Sequence, residues 1–382
     1  MGAFRLGRIA GIDILAHWSW FVIFVLLSAW LAEGFFRDVY EDWSGGERWA
    51  TAVVTALLFF GSILLHELAH SLWAKRLGLP VQNITLFVFG GVSALGAEPD
   101  SAKKEFQIAI VGPLTSVFLA IVFGALTAVA WMTNVHDTPP GAIVQYLTFI
   151  NAAVAVFNML PGYPLDGGRV LRAALWARSG NMLRSTKWSA GAGTIISFAL
   201  MAVGVISILF GNFIGGVWFV VIGWFLRNVS DASYRQQLLR STLEGTKVSE
   251  VVNRSFRAVP PDISLGQLVN DSMLALGQRC VPVVAGQELL GIVTLGDLRR
   301  VPQEEWSTIS AYRAMTPYEK LHVTSPRDDL LQALEVMASN NVHQLPVLEG
   351  RLFQGFVTRA DVLNLIQIRS ELAKEPTATP DR

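Results

Sequence analysis

The chain has 382 residues, of which 52% are hydrophobic and 16% are charged, whereas an average soluble domain has about 25% charged residues. This composition excludes an ordinary cytosolic protein. Thirty basic and thirty acidic side chains cancel, so no net field favours a nucleic-acid partner. Residues 1–230 hold only 26 of the 60 charged side chains. A membrane half followed by a soluble half is therefore predicted.

Hydropathy predicts about six membrane-spanning helices in the first half, because a span needs about 20 mostly apolar residues. The predicted spans are Trp18–Leu31 lengthened by its flanks, Ala50–Ala74, Phe106–Trp131, Ile143–Leu160, Gly191–Leu209 and Phe213–Phe225. The polar-interrupted segment Met1–Ala16 predicts no cleavable signal peptide. Within it, Arg5–Leu15 partly alternates like a short strand.

Every second connection between these spans is basic. Glu33–Arg48 carries five acids against two arginines, and Asn134–Ala142 carries neither lysine nor arginine. By contrast, Lys75-Arg76, Lys103-Lys104 and the segment Arg169–Lys187 are basic. Because short basic loops stay in the cytoplasm, the pattern predicts a multi-pass plasma-membrane protein with both termini cytoplasmic.

A repeat with a period of 64 residues organises the second half. The segment VPVVAGQELLGIVTLGDL begins at Val281, and LPVLEGRLFQGFVTRADV begins at Leu345. Each copy predicts a helix, two short strands around a glycine turn, and a second helix. The predicted boundaries are a membrane domain at 1–228, a linker at 229–247, repeat units at 248–308 and 309–372, and a disordered tail at 373–382.

The second span carries a metal-binding pattern, His66-Glu67-Leu68-Ala69-His70. On a helix, two histidines four residues apart face the same side and can bind one Zn(II), while Glu67 can polarise a water bound there. A carboxylate near mid-bilayer costs on the order of 2.5–3.5 kcal/mol, so it is seldom retained without a function. The alternative interpretation is a polar cluster that joins helices, or an ion relay.

Zinc also needs a third protein ligand and an open position. The best candidate is Asp166, because two prolines and three glycines break the fourth span within Asn158–Gly168. The alternative makes Asp166 only the N-cap of a cytoplasmic helix. Asn158 and Asn151 are seven residues apart and share a helix face, so either could donate to an oxyanion or bond to a neighbouring helix.

With these motifs the sequence resembles the site-2 protease family, the intramembrane zinc metalloproteases, in its branch with C-terminal CBS domains. The resemblance rests on HELAH, on NMLPGYPLDGGR, on FGGVSAL at Phe89–Leu95 and on EFQIAIVGPLTS at Glu105–Ser116. It implies one Zn(II) per chain with His66, His70 and Asp166 as ligands, Glu67 as the catalytic acid/base, and Asn158 as an orienting or oxyanion residue.

The expected fold is a polytopic α-helical membrane protein with about six transmembrane helices and short membrane-associated β-strands, followed by an α/β tandem CBS (Bateman) module. Gln82–Leu95 contains Gly90-Gly91 and predicts a hairpin. Its edge could pair with an unwound substrate strand, or the hairpin could plug the cavity. Gly112-Pro113 in the third span predicts a kink or a close-packing position.

The repeat resembles the CBS pair, whose two units pack into a pseudo-twofold disc. In that family the Thr and Asp of G-x-x-T-x-x-D commonly bind the phosphate and ribose of an adenine nucleotide such as ATP. The corresponding residues here are Thr294, Asp297, Thr358 and Asp361. Because Thr and Asp also cap helices well, a purely structural or homodimerising pair is the alternative.

The function predicted from these features is an intramembrane zinc endopeptidase. Its substrate would be a transmembrane or juxtamembrane segment of a single-pass regulator, such as an anti-sigma factor or a membrane-tethered transcription factor, with adenine nucleotide gating at the CBS pair. The rival is a CBS-gated divalent metal transporter or channel, which would need polar residues along several spans. Structural or solvated roles are expected for His17, His136, His322 and His343, and a buried, inert thiol for Cys280.

Overall fold

The computed structural model describes residues 3–96 and 98–372. The predicted tail at 373–382 lies outside the described residues. Two compact units divide the chain, Met1–Gln237 and Leu238–Arg382. The first corresponds to the membrane half and the second to the repeat.

Six helices among the described residues are long and apolar enough to cross a membrane, which confirms the polytopic fold. In chain order the helices of the first unit are α1 (Trp18–Val39), α2 (Gly45–Arg76), α3 (Ala102–Met132), α4 (Pro139–Asn158), the short α5 (Asp166–Ser179), α6 (Met182–Leu209) and α7 (Phe213–Leu243). The protein is therefore a multi-pass membrane protein.

Helix α2 carries the histidine pattern and has well-defined ends. At its start Ser44 and Glu47 form a capping box, in which each side chain accepts a hydrogen bond from the other residue's backbone N–H. At its end Lys75 and Arg76 place positive charge beside the free carbonyls. Because a helix rises 1.5 Å per residue, His66 lies about 15 Å from Arg76 along the axis. The pattern is thus well inside the helix, nearer its basic end.

A four-stranded sheet packs against α2. Its strands are β1 (Ala3–Ile9), β2 (Ile12–His17), β3 (Val81–Phe87) and β4 (Gly90–Leu95), in that spatial order. Strands β2 and β3 are parallel, and the two outer pairs are antiparallel. Ile12 and Ile14 of β2 pack against Leu68 of α2. Gln82–Leu95 forms the predicted hairpin, whereas Arg5–Leu15, predicted as one short strand, is divided between β1 and β2 by a turn at Ala10-Gly11. Strand β4 is an edge of this sheet.

The second unit is an α/β module with a five-stranded sheet. Its strands are β5 (Cys280–Ala285), β6 (Glu288–Thr294), β7 (Thr316–Pro317), β8 (Gln344–Glu349) and β9 (Leu352–Thr358). The order is β5-β6-β9-β8, with β7 on β6. Its helices are α8 (Leu265–Leu268, continued by a π-helical turn at Val269–Leu274), α9 (Leu295–Leu298), α10 (Ala311–Ala314), α11 (Leu330–Ser339) and α12 (Arg359–Leu372).

The repeat gives this module two cores. In one, Leu268 and Met273 pack with strand residues such as Val281. In the other, Met337 packs with strand residues such as Val347. Each repeat thus buries its helix on its own pair of strands, as the tandem α/β prediction requires. Cys280 is buried, and burial raises the pKa of its thiol to about 12, in agreement with an inert side chain.

Helix α7 runs through most of the segment predicted as a linker, 229–247, and the linker boundaries stay a prediction. Helix α7 continues to Leu243 without interruption, and the boundary between the two compact units falls inside it. The physical reason is local: the polar residues after Arg227 include neither glycine nor proline before Gly245. Polarity ends a membrane span but does not by itself end a helix.

Candidate metal centre and catalytic site

Helix α2 turns the two histidines of the HELAH pattern toward one point. The Nε2 atoms of His66 and His70 are 3.2 Å apart, and both side chains are buried. The four-residue spacing explains this arrangement, because residues i and i+4 lie one above the other on a helix.

Asp166, the first residue of α5, completes the cluster. Its Oδ2 atom lies 3.0 Å from Nε2 of His66 and 3.2 Å from Nε2 of His70. The N-cap residue of α5 is Leu165, and no side chain caps this helix. The alternative in which Asp166 serves only as a cap is therefore wrong, since its carboxylate faces the imidazoles.

Close backbone packing holds Asp166 in place. The chain between α4 and α5 runs against α6, where the Tyr163 N–H donates to the Ser189 carbonyl at 3.1 Å. A Cβ atom on Gly193 of α6 would overlap the Tyr163 carbonyl oxygen, and one on Gly168 would overlap the backbone at Gly162. The glycines of this segment therefore allow the approach that brings α5, and with it Asp166, up to α2.

The outer nitrogens of both imidazoles contact α3. Nδ1 of His70 lies 2.6 Å from the carbonyl oxygen of Ile108, and Nδ1 of His66 lies 2.8 Å from Oγ of Ser116. A carbonyl oxygen only accepts, so Nδ1 of His70 carries the hydrogen and donates it. In the neutral imidazole, Nε2 then carries a lone pair that faces the cluster, and this is the tautomer that binds metals. The Ser116 hydroxyl can accept from His66 in the same way.

Gly112 of α3 leaves the space in front of the two histidines open. A Cβ atom at this position would overlap Nε2 of His70 and lie 2.6 Å from Nε2 of His66. The sequence predicted a kink or a close-packing position here but did not place it at the histidine pair. Glycine is required because any side chain would occupy the point on which the donors converge.

These donors fit a zinc ion. One atom from each of His66, His70 and Asp166 lies within 4.8 Å of the other two. Two ligands about 2.05 Å from one tetrahedral ion are about 3.3 Å apart, close to the 3.0–3.2 Å separations between these atoms. Two imidazoles and one carboxylate also form the three-ligand set that leaves a fourth zinc position open.

Glu67 lies beside this cluster and against strand β4. Its Oε2 atom accepts a hydrogen bond of 3.0 Å from the Ser93 hydroxyl. A Cβ atom on Gly91 would overlap its Cγ atom. Its carboxylate interacts electrostatically with both histidines and with Asp166. A carboxylate in this position can take a proton from, and return it to, a molecule bound at the cluster.

The two asparagines of α4 differ in their hydrogen bonds. Asn151 is buried and donates to Oγ of Ser62 at 3.3 Å and to the Leu147 carbonyl at 2.8 Å. Both of its amide hydrogens are therefore used in helix packing. Asn158, the last residue of α4, is half-buried and has no hydrogen-bond partner for its side chain among the described residues. Of the two, Asn158 keeps its donors available.

A buried ion pair that was not predicted from the sequence joins α3 to α5. Nε of Arg172 donates to Oε1 of Glu105 at 2.6 Å, and Nη2 of Arg172 contacts the same oxygen. The guanidinium carbon also lies 5.2 Å from the centre of the Tyr163 ring. The available signal was the presence of opposite charges in otherwise apolar segments, where charges pair.

The four predicted nucleotide residues form two separate pairs in the second unit. Oδ2 of Asp297 accepts from the backbone N–H and the hydroxyl of Thr294 at 2.9 and 2.7 Å. Oδ2 of Asp361 accepts in the same way from Thr358 at 3.0 and 2.6 Å. Because β6 and β9 pair antiparallel near their first residues, the two pairs lie at opposite ends of the sheet.

Both units match known protein families. The model described as Peptidase family M50 matches residues 54–139 and 130–203, and the CBS domain model matches 248–304 and 310–368. Rip3 of Mycobacterium tuberculosis, named as a zinc metalloprotease, is 32% identical over 99% of this chain and 96% of its own length. Zinc metalloprotease MJ0392 of Methanocaldococcus jannaschii is 27% identical over 96% of this chain and 98% of its own.

A solved structure of the site-2 protease from Methanocaldococcus jannaschii covers 60% of this chain and 94% of its own, at 25% identity and a TM-score of 0.43. The Rip3 match extends over nearly the whole of both chains. With the six spans and the two CBS matches, it follows that this chain belongs to peptidase family M50, as a site-2-type zinc metalloprotease with tandem CBS domains.

Proposed function

We propose that this protein is an intramembrane zinc endopeptidase that cleaves a transmembrane or juxtamembrane segment of a single-pass regulatory protein. Anti-sigma factors and membrane-tethered transcription factors are the substrate classes that fit. The observation that carries the proposal is the convergence of His66, His70 and Asp166 inside a membrane-spanning helix, with Glu67 beside them. In this proposal those three residues bind one Zn(II). Membership of a peptidase family weighs against the rival metal transporter.

The chemistry follows from where the side chains lie. The metal, when bound, supplies Lewis-acid polarisation of the carbonyl and of the attacking water. Glu67 takes a proton from that water as its oxygen adds to the peptide carbonyl, and it delivers the proton to the amine nitrogen as the C–N bond breaks. Asn158, whose amide donors are unused by the described residues, donates to the oxyanion.

The substrate is bound as an extended strand in this proposal. The carbonyls of a helical segment are hydrogen-bonded along the helix axis, so the scissile segment must unwind before attack. Strand β4 is an edge of the first sheet and lies directly against Glu67 through Gly91. Pairing with this edge places an added strand beside the catalytic residues. The hairpin then serves as a docking strand rather than a plug.

The protein is oriented in the plasma membrane with both termini in the cytoplasm. The basic connections support this orientation, and the HELAH pattern lies nearer the basic end of α2 than its acidic start. Cleavage therefore takes place nearer the cytoplasmic face, where a released fragment can reach cytoplasmic targets.

The CBS pair binds an adenine nucleotide, such as ATP, and gates access to the site. The second repeat is better suited to this role than the first. Oδ1 of Asp297 already accepts from the Thr316 hydroxyl at 3.2 Å, and Asp297 is only 6% exposed. Asp361 is half-buried and lies in the first turn of the longer helix α12. Thr358 and Asp361 are thus the first residues to test, and homodimerisation through the CBS units is the structural alternative.

Co-expression with tagged single-pass membrane proteins tests the protease activity. Native chain should release a fragment, whereas Glu67→Gln should release none while it keeps its zinc, because Glu67 is not one of the three proposed ligands. A fragment produced equally by both forms would contradict the assigned role. Release by neither form, across a broad panel of single-pass regulators, would count against the proposed function.

A separate experiment tests the nucleotide. Cleavage rates are measured with and without ATP at constant free Mg(II), for native chain and for Asp361→Ala. A rate change in native chain that is lost in Asp361→Ala supports gating. Equal cleavage rates with and without ATP in native chain would overturn gating. A rate change that persists in Asp361→Ala would show that ATP binds at another site.

A further inference from the structure

We propose that Ser93 of β4 is a positioning residue for the reaction: its hydroxyl fixes the orientation of the Glu67 carboxylate. Strand β4, which lines the site, then orients Glu67 as well as binding the substrate. This inference rests on the proposed proteolysis and on the role of Glu67 in it.

The hydrogen bonds around Ser93 have a defined direction. The Ser93 hydroxyl lies 3.0 Å from Oε2 of Glu67 and 3.4 Å from the Glu67 carbonyl oxygen, and the Ser71 hydroxyl lies 3.0 Å from the Ser93 oxygen. An ionised carboxylate only accepts, so Ser93 donates its single hydrogen to Glu67. Ser71 in turn donates to Ser93. The chain of bonds runs from Ser71 through Ser93 to Glu67.

The contact between Ser93 and Glu67 follows from the alternation of side chains along β4. Residues two apart in a strand share a face, and Gly91 and Ser93 both touch Glu67. Gly91 has no side chain, which lets the strand approach the Glu67 stem. Val92 between them is 53% exposed, as expected for the opposite face. Ser71 is fully buried on α2, one turn beyond Glu67.

The Ser93 hydrogen bond makes the two carboxylate oxygens of Glu67 different. Oε2 is held by Ser93, whereas Oε1 accepts no hydrogen bond from any residue in the described part of the chain. The terminal torsion of glutamate is broad and roughly two-fold, so an unrestrained carboxylate rotates readily. The Ser93 bond removes that freedom and leaves Oε1 as the oxygen that exchanges a proton with the reactants.

A merely structural role makes different predictions from a positioning role. If Ser93 only fastens β4 to α2, its loss should loosen the strand, raise KM and lower thermal stability. If it orients Glu67, its loss should lower kcat and leave KM and zinc content unchanged. We expect Ser93→Ala to lower kcat about tenfold, the usual effect of one hydrogen bond to a charged group.

The test uses the full chain in lipid vesicles with a tagged single-pass protein that native chain cleaves in the co-expression experiment. Variants are Ser93→Ala, Ser93→Thr and Ser71→Ala. The matched control is Ser233→Ala, because Ser233 is also half-buried but donates only to the Val229 carbonyl of its own helix, at 2.8 Å. Readouts are kcat, KM, bound zinc per chain and the midpoint of thermal unfolding.

Ser93→Ala should have a lower kcat than native chain. Ser93→Thr should keep most of the native kcat because the hydroxyl is retained. Ser71→Ala should lower kcat less than Ser93→Ala does. Ser233→Ala should match native chain. Unchanged kcat in Ser93→Ala, or a loss that appears in KM, zinc content or unfolding midpoint instead, would overturn the positioning role. If native chain cleaves no single-pass protein, the proposed function fails and this inference fails with it. If native chain cleaves and Ser93→Ala cleaves equally well, only the inference fails.

Discussion

Asp166, Asp297 and Asp361 each lie in the first turn of a helix, but their carboxylates do two different things. In the CBS unit, the carboxylates of Asp297 and Asp361 fold back onto the threonine three residues earlier and close capping boxes. In the membrane unit, Asp166 makes no capping bond, and its carboxylate lies within 3.2 Å of two imidazoles. The same residue type at the same kind of position is a cap in one unit and a candidate ligand in the other.

The difference lies partly in the local sequence. A threonine three residues before the acid supplies the hydroxyl and the N–H that a capping box needs, and both CBS repeats have it. The residue three before Asp166 is Tyr163, which offers no short hydroxyl to the helix start. An acid without a capping partner keeps its oxygens free, and what they bind depends on which elements pack nearby.

The largest expected effect separates the two classes of aspartate. Asp166→Asn should no longer bind zinc, and its cleavage rate should fall by a factor of more than about 10², because a charged ligand is replaced by a weaker neutral donor. Asp297→Asn should keep its bound zinc and its cleavage rate. Metal analysis of the purified chains, paired with cleavage assays, measures the effect. Zinc retained at one per chain in Asp166→Asn would remove that residue from the ligand set.

Gly112→Ala should have nearly as large an effect on the same centre. The added methyl would overlap Nε2 of His70, so we expect zinc and activity to be lost although alanine favours the helix. Gly124→Ala in the same helix is the control, since its Cβ would meet only Thr148 Cγ2 at 3.6 Å. Full zinc occupancy in Gly112→Ala would show that α3 does not approach the histidines so closely.

Loss of the buried arginine of the membrane unit should have a larger effect on stability than loss of an exposed arginine of the CBS unit. Arg172→Met leaves the buried Glu105 carboxylate unpaired, which should destabilise the fold by about 3–5 kcal/mol. The double variant Glu105→Gln/Arg172→Met should recover most of that loss. Arg300, whose side chain is 82% exposed, lies 3.8 Å from Asp297, and Arg300→Met should change stability by less than about 0.5 kcal/mol. Thermal unfolding compares the three, and equal midpoints would contradict the buried pairing.

Loss of a cap should have a smaller effect. Thr358→Ala removes the hydroxyl that accepts from the Asp361 N–H at 3.1 Å and donates to its carboxylate, which should destabilise the CBS unit by about 1 kcal/mol. Zinc content should stay unchanged. Denaturant unfolding gives the change in free energy, and a zinc loss in Thr358→Ala would contradict the separation of cap from ligand.

The smallest expected effect is one of reactivity. With a thiol pKa of about 12, Cys280 should be roughly 10⁻⁴ ionised at pH 8 and should not react with iodoacetamide in the folded chain. Because burial raises the pKa, the neutral thiol persists until the pH approaches that value. Labelling should appear only after denaturation, and rapid labelling of native chain would show that the CBS core opens readily.

Whether a feature of this protein could be predicted from its sequence depends on how far apart in the chain the interacting residues lie. The six spans, the CBS repeat and the HELAH spacing are local or periodic properties, and they could be read directly. The candidate role of Asp166, 100 residues from His66, came from the break in α4 and from a family resemblance rather than from spacing. The span predicted at Phe213–Phe225 is only the apolar part of α7, which continues to Leu243, because loss of hydropathy does not stop a helix.

The sequence by itself determined which segments enter the membrane, where the repeat lies and which helix carries the histidines, because those features depend on hydrophobicity and on a period of a few residues. Only the tertiary structure decided that Gly112 opens the space at Nε2, that Ser93 donates to Glu67, that Arg172 neutralises Glu105 and that Asn151 is used in packing. Each of these contacts joins elements far apart in the chain, so it arises from the packing of one helix or strand against another and leaves no periodic trace in the sequence.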